Sequence, residues 1–139
     1  MKLLRLAQGR WEVLALCDGR GQCQVFDFLA DLKGSYEAAA RSMTVLLLQT
    51  IPKYGPPRSE PRCKALGGGL YELRKQPKGK KLRVVWFYGG GAVIVCTAAF
   101  KKAERTPPGE IDRARLHQER YRLARAKGAV EILDLEEKT

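Results

Sequence analysis

The chain is predicted to fold as an α+β domain with the element order β-α-α-β-β-β-α. Three observations predict this. Two apolar stretches at helical spacing stand side by side between Gln22 and Ile51. Three strand-like runs follow between Leu70 and Phe100, separated by turns rich in glycine and proline. A further helical stretch lies between Thr106-Pro107 and Gly128. The expected architecture is a small, twisted, mainly antiparallel sheet with a helical hairpin on one face and a C-terminal helix.

Each element has a local reason. Trp11 to Cys17 alternates loosely and reads as the first strand, and Asp18-Gly19-Arg20-Gly21 is its turn. Val25, Phe26, Leu29 and Leu32 recur at helical spacing, and Gly34 stops that helix. Ser35 is a fair N-cap for the second helix. There Tyr36, Ala39, Ala40, Met43, Leu46, Leu47 and Ile51 form one stripe, and Pro52 is expected to end it. Residues 52–69 read as a basic loop closed by Gly67-Gly68-Gly69. Three strands then form a meander, 70–75, 81–88 and 92–100, the last apolar on both faces and therefore central. The last helix runs from about Pro107 to Lys127. One domain, residues 1–128, is expected, with an acidic-apolar tail at 129–139 that reads as either an extra strand or a frayed end.

Composition excludes several function classes. A chain of 139 residues, 45% hydrophobic and 29% charged, can bury a core and is not disordered throughout. No apolar stretch approaches the roughly 20 residues that a membrane helix needs. Met1 to Gln8 is too short and too soon charged to be a signal peptide, so a cytoplasmic location is expected. Cys17, Cys23, Cys63 and Cys96 show no Cys-x-x-Cys spacing, and the single histidine, His117, sits among arginines as an expected helix-surface residue. Neither a metal nor a cofactor is expected, and the four thiols are expected to be reduced.

The informative quantity is charge. Twenty-six Lys and Arg against fifteen Asp and Glu give a net +11. Residues 58–83 carry +7 and 101–127 carry +5, while the apolar run 84–100 between them carries none. Two basic blocks flanking a neutral core strand point to a polyanion, and nucleic acid is the default. Strand alternation places Arg74 opposite Tyr71 and Leu73, and Arg83 opposite Leu82 and Val84. Lys101 and Lys102 follow the third strand directly. Four cations from three neighbouring strands are thus expected to converge on the face opposite the helical hairpin. Such a site suits a scissile phosphate. Arginine stabilises the developing charge but cannot act as a base, whereas a lysine crowded by cations has a lowered pKa and can move the proton. Tyr71 and Tyr88 can stack a base or hold a 2′-hydroxyl. A patch that only binds RNA would carry the same residues.

Three segments in order carry a resemblance: Leu66-Gly67-Gly68-Gly69-Leu70-Tyr71-Glu72-Leu73-Arg74, Lys81-Leu82-Arg83-Val84-Val85-Trp86-Phe87, and Phe100-Lys101-Lys102 through Thr106-Pro107-Pro108-Gly109-Glu110-Ile111 to Ala114. Together they resemble the HigB-like, phage-derived branch of the RelE/ParE toxin superfamily. The resemblance implies a RelE-like fold and the toxin of a type II toxin–antitoxin pair. It implies a metal-independent endoribonuclease that cuts mRNA on the ribosome, and neutralisation by a HigA-like helix-turn-helix antitoxin. Operator DNA would be met only through the antitoxin complex. Carried over by position, the catalytic cations are Arg74, Arg83, Lys101 and Lys102. Lys75, Lys78, Lys80, Lys81, Arg105 and Tyr121 join Tyr71 and Tyr88 as expected RNA contacts. Where the family has a histidine late in the third meander strand, this chain has Thr97. That departure keeps a second reading open: a catalytically inactive relative that only binds RNA, the ribosome or a host protein.

Overall fold

In chain order the elements are β1 (Lys2–Gln8), β2 (Glu12–Leu16), α1 (Gln24–Asp31), α2 (Glu37–Val45), α3 (Ile51–Tyr54), β3 (Cys63–Gly67), β4 (Leu70–Lys75), β5 (Leu82–Tyr88), β6 (Val93–Lys101), α4 (Pro108–Ala126) and β7 (Glu131–Asp134). The computed structural model describes residues 1–102 and 107–135. All seven strands form one mixed sheet in the order β3-β4-β5-β6-β2-β1-β7. The predicted meander is β4-β5-β6, paired antiparallel. Beyond it β2 pairs with β6 and β1 with β7 in parallel, so the sheet is mixed, with four of its six pairings antiparallel.

The sheet is covered on both faces, which explains why β5 and β6 are apolar on both sides. On one face α1 and α2 pack Val25, Leu29, Ala39, Ala40 and Met43 against Leu4, Leu73, Val84, Trp86 and Cys96. On the other, α4 contributes Ala114 and Tyr121 to a smaller core with Leu3, Leu14, Leu70, Val85, Phe87 and Val95. The glycine run 67–69 makes the β3–β4 turn, with all three residues at positive φ (88°, 61° and 82°), a conformation that costs glycine little. Helix α4 grips that turn: Arg115 donates to the carbonyls of Leu66 and Gly67, and Gln118 to that of Gly68.

Three features differ from the sequence expectation. Leu3, Leu4 and Leu6 make β1 a real strand, buried on both faces despite Lys2 and Arg5. The basic loop contains β3, an edge strand anchored by buried Cys63. Pro52 does not end the second helix. A π turn over Leu46–Thr50 follows α2, Pro52 sits in the first turn of α3 where a missing N–H is tolerated, and Gly55 (φ 85°) stops the chain. Of the two readings of the tail beyond 128, the extra strand holds: it supplies β7, tied by Arg5, which donates to Glu12 at 2.7 Å and to Asp134 at 2.7 Å. Cys17, Cys23, Cys63 and Cys96 are all buried, and Cys17 and Cys23 face each other in an isolated antiparallel bridge.

Trp86 is fully buried and stacks on Tyr71 with ring centroids 4.9 Å apart. Trp86→Ala is expected to cost about 3–5 kcal/mol of stability, read from denaturant unfolding followed by circular dichroism. A loss under about 1 kcal/mol would show that the hairpin does not close that face.

Candidate functional site

Cross-strand register brings the first cations together. Arg74 lies directly opposite Arg83 in the β4–β5 pair, and the Lys102 N–H donates to the Lys81 carbonyl where β6 ends. Like charges directly opposite each other destabilise a sheet. The compensation is Glu72, two residues before Arg74 and so on the same face. Its fully buried carboxylate oxygen Oε1 lies 3.4 Å from Arg74 Nε, 3.4 Å from Arg83 Nε and 3.6 Å from Lys102 Nζ. The cluster therefore holds three cations around one carboxylate.

The three cations are not equivalent. The Arg83 side chain is only 3% exposed. It donates from Nη1 to the Leu82 carbonyl at 2.9 Å and from Nη2 to Gln76 Oε1 at 2.7 Å. Burial, with Arg74 beside it, lowers its pKa from the ordinary arginine range, against the pull of Glu72. Arg74 and Lys102 form the accessible rim, at 18% and 9% exposure. Arg74 also reaches Glu60 at 3.4 Å. Lys102 is held below the usual lysine range by burial first and then by Arg74, Arg83 and Lys64, while Glu72 opposes.

Several predicted site residues lie elsewhere. Lys101, one residue before Lys102, points to the hairpin face, with its amine 4.5 Å from the centre of the Tyr36 ring. Four cations were expected to converge, and three do. Lys80 sits over the same ring at 5.8 Å. Tyr71 and Tyr88 pack with Trp86 on that hairpin face as well, so neither can stack a base beside the Glu72 cluster. Lys75 and Lys81 are half-buried at the ends of β4 and β5, and Lys78 is exposed in the turn between them. Tyr121 is corrected outright. It is 8% exposed, packs on Phe87, and donates its hydroxyl to the Gly89 carbonyl at 2.8 Å. Arg105 lies outside the described residues.

His117 was expected on an open helix surface but is half-buried, and its Nδ1 is shut in without a hydrogen-bond partner. It lines a cavity of about 770 Å³ between α4 and the β1-β2-β6 part of the sheet, with Arg113, Arg120, Lys2 and Thr97. The spacing 113, 117, 120 places these residues on one helix face, a signal present in the sequence. Glu72 was legible only as a partner of Arg74, and its burial depends on three strands meeting. Among the described residues no group of three or more His, Cys, Asp or Glu side chains is placed to hold a metal, and no helix is long and apolar enough to cross a membrane.

The family model described as phage derived protein Gp49-like (DUF891) matches residues 31–119, from the end of α1 into α4. No curated protein matches the chain.

Two substitutions test this geometry. Glu72→Gln leaves buried positive charge uncompensated and is expected to lower stability by about 3–5 kcal/mol in chemical unfolding; a neutral result would show the cations are solvated. Tyr121→Phe is expected to cost about 1 kcal/mol while leaving RNA affinity unchanged in a filter-binding assay.

Proposed function

The chain belongs to the phage-derived Gp49-like family, and from that premise we propose that it is a toxin-type protein with a RelE-like fold that cleaves mRNA, on the ribosome, without a metal. The observation that carries the reading is the cluster at the ends of β4, β5 and β6: two rim cations, Arg74 and Lys102, held beside a buried Arg83–Glu72 pair. Three cations against one carboxylate leave the cluster with a net positive charge, available to an incoming phosphodiester.

In this reading Lys102, in its neutral amine form, takes the proton from a ribose 2′-hydroxyl. The freed oxygen attacks the adjacent phosphorus, the bond to the 5′-oxygen breaks, and a 2′,3′-cyclic phosphate forms. The leaving oxygen recovers a proton from solvent. Arg74 stabilises the charge that grows on the non-bridging oxygens. Arg83 is a positioning residue: it fixes Glu72, which in turn sets the Arg74 and Lys102 side chains. Lys75, Lys78, Lys80, Lys81 and Lys101 supply a basic surface for rRNA along the strand ends. A HigA-like helix-turn-helix antitoxin is the proposed neutralising partner, with operator DNA bound only through that complex, and the proposed location is the cytoplasm.

A second reading has its own support. The Glu72 carboxylate already occupies the centre of the cations, and Arg83 has only 3% of its side chain exposed. A relative that binds RNA or ribosomes without cutting would present the same arrangement.

Regulated expression separates the two. Growth arrest with shortened mRNA is expected, relieved by Lys102→Ala, which should slow cleavage at least ~100-fold as the loss of a general base does. Intact mRNA and normal growth at confirmed expression of the wild-type chain would leave the non-cutting reading. Cleavage should also rise with pH as the Lys102 ammonium loses its proton. Lys102→Arg, which stays charged, should keep RNA affinity and lose that rise.

A further inference from the structure

The cavity beside His117 is not absorbed by the reading above. Ala98, the wall residue of β6 nearest Lys102 along the chain, is four steps from it, roughly 13 Å of extended chain. One scissile phosphate cannot span both. Much of its wall, Met1, Lys2, Leu16 to Gly19, Gln22 and Gln24 at the start of α1, lies outside the span that matches the family.

The cavity is built rather than incidental. A bulge in the β5–β6 register falls where Thr97 lies, so the strand is bent there. Beyond Cys96 the edge of β6 has lost β2, and the Gln24 side chain takes the strand's place. Its amide donates to the Ala99 carbonyl at 2.7 Å and its oxygen accepts from the Ala99 N–H at 2.8 Å. That clamp holds the floor open between the turn and the helix.

The charges around it are sorted. Asp18 accepts from the backbone of Arg20 and Gln22, and Glu110 pairs with Arg113 at 3.1 Å, so both acids are engaged. Arg120 and Lys2 make no ion pair with another described residue. The Met1 amine is bonded to the Ala129 carbonyl. The His117 ring, with Nδ1 shut in, is part of the cavity wall. Burial, reinforced by Arg120 and Arg113 against Glu110, keeps that ring below the ordinary imidazole range.

We propose that this cavity binds a nucleoside phosphate, with Arg120 and Lys2 on the phosphate, the His117 ring against it or the sugar, and the apolar wall of Leu16 and Ala98 against the base. A free oxyanion would fill only a small part of about 770 Å³, whereas this volume falls within the range of pockets that hold small organic ligands. Cations and apolar side chains in one wall match a molecule with a charged end and a flat apolar body. The inference does not rest on the ribonuclease reading.

The test uses the full chain titrated with adenosine 5′-monophosphate, followed by calorimetry and by the His117 ring resonances in NMR. Saturable binding with movement of those resonances is expected. Arg120→Gln, at an exposed position that leaves the fold intact, should weaken it at least tenfold with an unchanged melting temperature. Lys102→Ala should bind as the wild type does, so failure of the cleavage reading leaves this result standing. His117 resonances unmoved at saturation, or loss of binding in Lys102→Ala, would overturn the site. Inorganic phosphate binding as tightly as the nucleotide would overturn the nucleoside assignment. Competition by an oligoribonucleotide with a 5′-phosphate would identify RNA ends as the ligand's source, and its absence would identify free nucleotides.

Discussion

A single buried carboxylate governs the basic half of this molecule. Glu72 is fully enclosed, yet three cations from three strands approach one of its oxygens. Arg74 and Arg83 face each other across the β4–β5 ladder, a pairing that repels in isolation. Desolvating such groups is costly unless every charge finds a partner; Arg83 bonds Gln76 and the Leu82 carbonyl, while its buried Nε has the Glu72 ion pair but no hydrogen bond. The register of β4 against β5, and the exit of β6 past Lys81, are thereby coupled to the electrostatics. A one-residue slip would move each of these side chains to the wrong face.

The two faces of the sheet divide the work. The hairpin face carries the large core, the Tyr71–Trp86–Tyr88 aromatic group, and Lys80 and Lys101 beside Tyr36. The α4 face carries the Glu72 cluster at one end and the His117 cavity further along β6. A polyanion approaching the open ends of β4, β5 and β6 would meet cations on both faces. Only those on the α4 face are held in a fixed, buried frame.

Much of this was legible in the sequence, and the reasons for the remainder are physical. The meander followed from alternation and turns, and the shared face of Arg74 and Arg83 followed from the same alternation. Lys101 was misplaced because two adjacent residues on a strand cannot face one way, so only Lys102 joins the cluster. Tyr121 looks like an RNA contact beside so many arginines, but its position on α4 over Phe87 and Gly89 makes it a packing residue. The strands β1 and β3 were missed, and β7 was left open against a frayed end, because each is short or broken by charge. His117 carried a usable signal in its helical spacing from Arg113 and Arg120. That signal meant little without the wall provided by residues 1–24.

The pairing of β1 with β7 has a temporal consequence. Strand β1 leaves the ribosome well before β7, the partner on which its outer edge depends. Until residues 131–134 have been synthesised and freed from the exit tunnel, the backbone of Lys2 to Arg5 has an unsatisfied outer row of donors and acceptors. Closing that seam joins parts of the chain separated by about 130 residues, a slow, high-contact-order step. A strongly cationic nascent chain with a bare strand edge is prone to stick to other chains, and Asp134, through Arg5, is the side chain that latches it shut.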